Sequence, residues 1–134
     1  MQLTLRLLAL VVVSLVAFVA NAYAQQYWAG FLFPRVMPRP YSEMVCAAVV
    51  GAFAAAAVTA LPLAKLFESK AWIAGLFVAS PVIALRVPEL GTSGAQGQEA
   101  IVVMAWVEVL SYTLLVVCAA WLVSRNTRGA KRAV

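Results

Sequence analysis

Histidine and aspartate are both missing from the 134 residues, and the acidic complement is five glutamates: Glu43, Glu68, Glu89, Glu99 and Glu108. These absences exclude histidine haem ligation, histidine-based zinc sites, Ser-His-Asp triads and paired-aspartate catalysis within the chain. Cysteine is scarce too, with Cys46 and Cys118 alone. They are expected at opposite depths of two apolar segments, too far apart for the roughly 7 Å between Cα atoms that a disulfide requires. Two such thiols make a poor metal site and are read as buried apolar groups. Charged residues of every kind amount to only 11%, against about 25% in an average soluble domain. With so few acid, base or metal-binding groups, the chain is expected not to be an enzyme, and no motif implies a cofactor.

Long hydrophobic runs take the place of what is lacking. Hydrophobic residues make up 65% of the chain and its mean hydropathy is +0.95. An uncharged run reaches from Met44 to Ala64, and about 20 such residues cross a bilayer core as helix. The expected fold class is all-α: an integral membrane bundle of four transmembrane helices in one domain, 1–134. The expected spans are 3–23, 42–64, 71–87 and 100–123. The first run has a second reading. Arg6, the apolar stretch Leu7 to Ala20 and Ala22-Tyr23-Ala24 also match the regions of a secretory signal peptide cleaved before Gln25. That would leave three spans. Retention as a span is preferred, because the remaining chain inserts by its own apolar segments.

Lys and Arg are retained on the cytoplasmic side during insertion. An inward N terminus places Arg6, Lys65, Lys70 and the tail Arg125, Arg128, Lys131, Arg132 inside, and leaves Arg35, Arg39 and Arg86 outside, seven against three. Both termini are therefore expected in the cytoplasm, and small size with compact loops suggests a bacterial inner membrane. The same count explains the net charge of +5. The basic tail is read as a contact for the lipid bilayer and not for nucleic acid, since no aromatic interleaving or binding module accompanies it.

Residues 25–41 combine Tyr27, Trp28, Phe31, Phe33 and Tyr41 with Pro34, Pro38 and Pro40, which predicts a loop along the membrane interface. Trp72 and Trp121 are expected as the opposing aromatic belt. The short segment Lys65 to Lys70 predicts that the second and third helices pair as an antiparallel hairpin. Residues 88–98, with Gly91, Gly94 and Gly97, read as a flexible connector without phosphate-binding chemistry. Small residues recur at four-residue spacing as Ala47, Gly51, Ala55 and again as Ala71, Gly75, Ala79. Such rows let helix backbones approach closely. They predict a tight hairpin, and also offer a face for a homo-oligomer or a membrane protein partner.

One acidic residue falls inside an apolar span. Counted from Ala100 at 1.5 Å per residue, Glu108 lies about 12 Å into the fourth span, where a bare carboxylate is costly. It must be protonated, paired or hydrated. Arg86, at the far end of the antiparallel third span, is within reach, and Ser111 and Tyr112 share the helical face of Glu108 and carry hydroxyl donors. Two roles follow for this candidate polar site: a buried ion pair that sets helix register, or a proton or cation site. The first predicts a non-catalytic accessory or structural membrane subunit. The second, the alternative, predicts a minimal oligomeric transporter or channel using Glu108.

Overall fold

The computed structural model describes residues 2–32, 41–90 and 99–132, and all the elements assigned there are helical. They are α1 (Gln2–Leu32), α2 (Tyr41–Phe67), a 3-10 turn (Glu68–Lys70), α3 (Ala71–Leu90) and α4 (Glu99–Arg132). Among the described residues, three stretches are long and apolar enough to cross a membrane: Leu3–Trp28, Tyr41–Leu90 and Glu99–Gly129. The expected count was four. Tyr41–Leu90 is one continuous stretch because α2 and α3 are joined without any non-helical break, through a turn of three residues.

Several boundaries lie beyond the expected ones, for identifiable reasons. Helix α1 passes through Ala22-Tyr23-Ala24 and reaches Leu32, so residues 25–32, expected as an interfacial loop, are helix. Nothing in that segment opposes helix strongly until Pro34, which disfavours α conformation in the residue before it. The rest of the expected loop, 33–40, lies outside the described residues, as does 91–98 with its three glycines. Helix α3 accommodates Pro81 and Pro88 and ends at Leu90. Helix α4 runs past the apolar span to Arg132, because no proline interrupts the polar segment that follows.

The packing order corrects the expected hairpin. Helix α2 packs along α1 and α4, and α3 packs along α4 with a smaller contact to α1. Contact between α2 and α3 is slight, so the helices follow one another around the bundle as α1, α2, α4, α3. A tight turn brings two helix ends together but does not oblige the helices to pack along their lengths. What decides the neighbours is the faces of α2, where Ala52, Ala55, Ala56 and Thr59 are fully or nearly fully buried. Small side chains on two sides of one helix admit two close neighbours, and α1 and α4 occupy them.

Large and small residues are distributed in the reverse of a water-soluble protein. The interior is rich in alanine and glycine, while Leu3, Leu8, Leu15, Phe53, Leu85 and Leu114 stand on the surface. Leu3 is 72% exposed and Leu114 60%, whereas Ala55, Ala71 and Ala79 are 0%. A continuous apolar exterior of this kind is a surface for hydrocarbon and not for water. Two buried hydroxyls are satisfied within their own helices: Thr59 Oγ1 donates to the carbonyl of Ala55 at 2.8 Å and Ser124 Oγ to that of Trp121 at 2.8 Å. Cys46 and Cys118 are free and exposed. They are surface thiols and not buried ones, because each sits on the outward side of its helix.

Candidate functional site

The buried side chains of α1 form a stripe, Leu10, Ser14, Ala17 and Asn21, at alternating spacings of four and three residues. Gln25 follows one turn beyond Asn21. The stripe brings these two amides to the end of the bundle where α1 and α3 finish and α2 and α4 begin, here termed the mouth. Asn21 is 3% exposed and Glu108 8%. On α3, Arg86 and Glu89 are separated by three residues and share a face turned to the same place.

Arg86 and Glu108 meet, as their positions in antiparallel spans predicted. Arg86 donates to Glu108 Oε2 from Nε at 2.7 Å and from Nη2 at 2.6 Å. The other carboxylate oxygen, Oε1, accepts from Gln25 Nε2 at 2.9 Å and more distantly from Asn21 Nδ2 at 3.4 Å. Gln25 Nε2 also lies 3.2 Å from Asn21 Oδ1. Arg86 Nη1 donates to both oxygens of Glu89, at 2.9 and 2.8 Å. The carboxylate thus receives four N–H donors from three residues, and none of the donating atoms can accept a proton from it. Two guanidinium N–H groups converge on Oε2 and two amide N–H groups on Oε1, so both carboxylate oxygens are occupied by donors. A lone ion at this depth is strongly unfavourable, whereas one with its partner and its remaining lone pairs occupied is tolerated.

The two hydroxyl residues expected at the carboxylate are elsewhere. Ser111 Oγ donates at 3.3 Å to the backbone carbonyl of Glu108. Tyr112 is fully buried and its hydroxyl makes no hydrogen bond. Helical side chains lean toward the N terminus, which carries the Glu108 carboxylate toward the mouth and away from groups three and four residues later. Asn21 and Gln25 supply the hydrogen bonds instead. The signal for them was present: two amides four residues apart, in phase with Leu10, Ser14 and Ala17, mark the inward face of an apolar helix.

Gly51 permits this convergence. A Cβ built on Gly51 would stand 2.8 Å from the Asn21 carbonyl oxygen and 2.6 Å from Gln25 Cγ, so α1 and α2 are closer there than any side chain allows. Gly75 has a milder role, since its Cβ would lie 3.2 Å from Val117 Cα on α4. All six small residues of the two rows, Ala47, Gly51, Ala55, Ala71, Gly75 and Ala79, are buried within the single chain.

A cleft of about 500 Å³ opens at the mouth, bounded by all four helices. Gln25, Gln26, Tyr41, Arg86, Glu89 and Glu108 are its polar groups, and the rest of its lining is apolar. A second hollow of about 330 Å³ lies between α1 and α3 on the other side of the same cluster. No protein-family model matches the chain, and neither a curated protein nor a solved structure is similar to it. No group of three or more His, Cys, Asp or Glu capable of holding a metal occurs among the described residues.

Proposed function

We propose that this chain is a small multi-pass membrane protein that acts as a non-catalytic accessory or structural subunit, with Glu108 as the hub of a polar clamp on three helices. One observation carries the reading: the Glu108 carboxylate is filled by donors from Arg86, Gln25 and Asn21. A proton carrier alternates between two states of similar hydrogen bonding, whereas this arrangement accommodates one. In the same proposal Tyr41–Leu90 turns back at Glu68–Lys70 and crosses the bilayer twice, giving four spans. The return is supported by Met44 and Arg86, from the two ends of that stretch, lining one cleft. Retention of α1 is supported by Leu10, Ala17 and Asn21, which are buried in the bundle and would be removed by cleavage before Gln25. The basic-residue count supports cytoplasmic termini in a bacterial inner membrane, with the mouth facing away from the cytoplasm. A companion protein or second copy would dock on the leucine, valine and phenylalanine exterior, since the small-residue rows are occupied internally.

The alternative, an oligomeric transporter or channel, is favoured by one feature, the cleft that reaches Glu108. Glu108→Gln distinguishes the two. For an accessory subunit the substitution weakens the fold or its association and alters no flux. Collapse of ion flux or proton-coupled uptake in vesicles, with the bundle still folded, would establish transport and end the accessory reading. Co-purification in mild detergent tests the accessory role directly, because a reproducible companion is its expected outcome and a lone monomer counts against it.

A further inference from the structure

At the end of the bundle opposite the mouth, Cys118, Trp121, Arg125 and Arg128 follow one another along α4 at spacings of three and four residues and form one exposed stripe. A hollow of about 290 Å³ between α3 and α4 is lined by Trp72, Val117, Cys118 and Trp121. The two helices approach closely there because Gly75 faces Val117. Toward the C-terminal end of α4, a second hollow of about 460 Å³ is lined by Trp121, Arg125, Arg128 and Gly129. Trp121 borders both and is 43% exposed, and Trp72 is 45% exposed, so both hollows are grooves on the outside of the bundle. The Arg125 guanidinium carbon stands 5.4 Å from the centre of the Trp121 ring, and Arg128 Nε donates to the Ser124 carbonyl at 3.2 Å. Among the described residues no ion pair reaches either arginine. At this end Arg6, Lys65, Lys70, Arg125 and Arg128 stand against one carboxylate, Glu68, so the surface is positive whatever Glu68 engages.

We propose that this stripe is a binding site for one anionic glycerophospholipid, with its phosphate held by Arg125 and Arg128 and an acyl chain lying in the groove beside Trp72 and Trp121. The site rests on the reading of Glu99–Gly129 as a span that ends here at the membrane surface. From Cys118 to Arg128 the stripe climbs about 15 Å at 1.5 Å per residue. Over that rise it passes from apolar through amphipathic to cationic, the order in which a phospholipid presents its chain, its glycerol backbone and its phosphate. Tryptophan favours the headgroup level, and the planar fork of a guanidinium matches phosphate oxygens. The Trp121 ring and the Ser124 carbonyl hold the two guanidinium groups in place before any lipid arrives. A zwitterionic lipid would bring its own ammonium against the arginines, and a free phosphate has nothing to lay along the tryptophans. A diffuse basic tail attracts anionic lipid in proportion to its total charge. A site depends instead on which charges are present.

Native mass spectrometry of the full chain in mild detergent, with phosphatidylglycerol added in steps, tests this. One phosphatidylglycerol is expected to be retained per chain, and phosphatidylcholine is expected to bind at least about tenfold more weakly. Millimolar inorganic phosphate should not displace the bound lipid. Arg125→Gln with Arg128→Gln is expected to lower the affinity about thirtyfold, with thermal unfolding unchanged because both side chains are exposed. Arg125→Lys with Arg128→Lys keeps the charge but loses the planar forks, and should fall between that variant and the unaltered chain. The charge-matched control, Lys131→Gln with Arg132→Gln, should lower affinity by no more than about threefold. Trp121→Ala is expected to cost about tenfold, most of it restored in Trp121→Phe. Equal losses in the two glutamine pairs, phosphatidylcholine retained as tightly as phosphatidylglycerol, displacement by inorganic phosphate, or no retained lipid would overturn the site. Dispersal of the chain in plain buffer would instead remove the span on which it rests.

Discussion

At the residue scale, the Arg86–Glu108 pair illustrates how a buried charge is tolerated without being a net source of stability. Removing one partner leaves the other desolvated and unpaired. Arg86→Ala is therefore expected to lower stability by about 3 kcal/mol, near the low end for buried pairs because the Arg86 side chain is 36% exposed. Replacing both partners with apolar residues of similar volume, as in Arg86→Met with Glu108→Leu, is expected to recover most of that loss. Detergent unfolding monitored by circular dichroism measures both, and a double variant as unstable as the single one would contradict the clamp. Gly51 gives a second expectation of the same kind. The methyl group of Gly51→Ala would overlap the α1 backbone at Asn21, so about 1–3 kcal/mol is lost as the helices separate. Gly75→Ala, with 3.2 Å to Val117 Cα, should cost less than Gly51→Ala in the same measurement.

At the element scale, the joint between α2 and α3 rests on one backbone conformation. Glu68 has φ of 45°, in the left-handed region where a β-branched side chain is strained. Glu68→Val is expected to destabilise the bundle by about 1–2 kcal/mol, whereas Glu68→Gly suits that conformation. Thermal unfolding of the two variants side by side checks this, and equal midpoints would refute the strain argument. The joint also leaves the helix neighbours undetermined by sequence. Loop length limits only how far apart two helix ends sit. The alanine rows of α2 were legible as close-packing faces, but which helices would fill them was not, since α1, α3 and α4 are all apolar enough to compete. The position of Arg86 opposite Glu108 could be read, because antiparallel spans place residues near a common end together. The amides of Asn21 and Gln25 flank Ala22-Tyr23-Ala24, and their phase with Leu10, Ser14 and Ala17 is what marks them as inward-facing.

At the scale of the whole molecule, the alanine-rich interior and the exterior of large apolar side chains imply that the solvent is hydrocarbon. The chain is expected to require detergent or lipid for dispersal, and a monodisperse species in plain buffer by light scattering would be incompatible with this surface. The buried stripe of α1 makes a further expectation. If α1 is a permanent member of the bundle, the mass of the protein recovered from membranes corresponds to a chain beginning at or near Met1, whereas a mass beginning at Gln25 would mean the clamp lacks Asn21 in the mature form. Reporter fusions at the two ends are expected on the same side, the cytoplasmic one, as the distribution of Lys and Arg requires.

Composition and order along the chain determined that the described segments are helical and mostly apolar, that one carboxylate falls inside an apolar span and that one guanidinium lies within its reach. These follow from local properties: the length of each apolar run, its lack of charge and the 1.5 Å rise per residue. The order of helices around the bundle, the amides that complete the shell of Glu108, the turning away of Ser111 and Tyr112, and the cleft at the mouth were decided only in three dimensions. Each depends on which faces meet, and faces of nearly uniform hydrophobicity carry no preference for one another until the fit of glycine and alanine against a neighbouring backbone selects one.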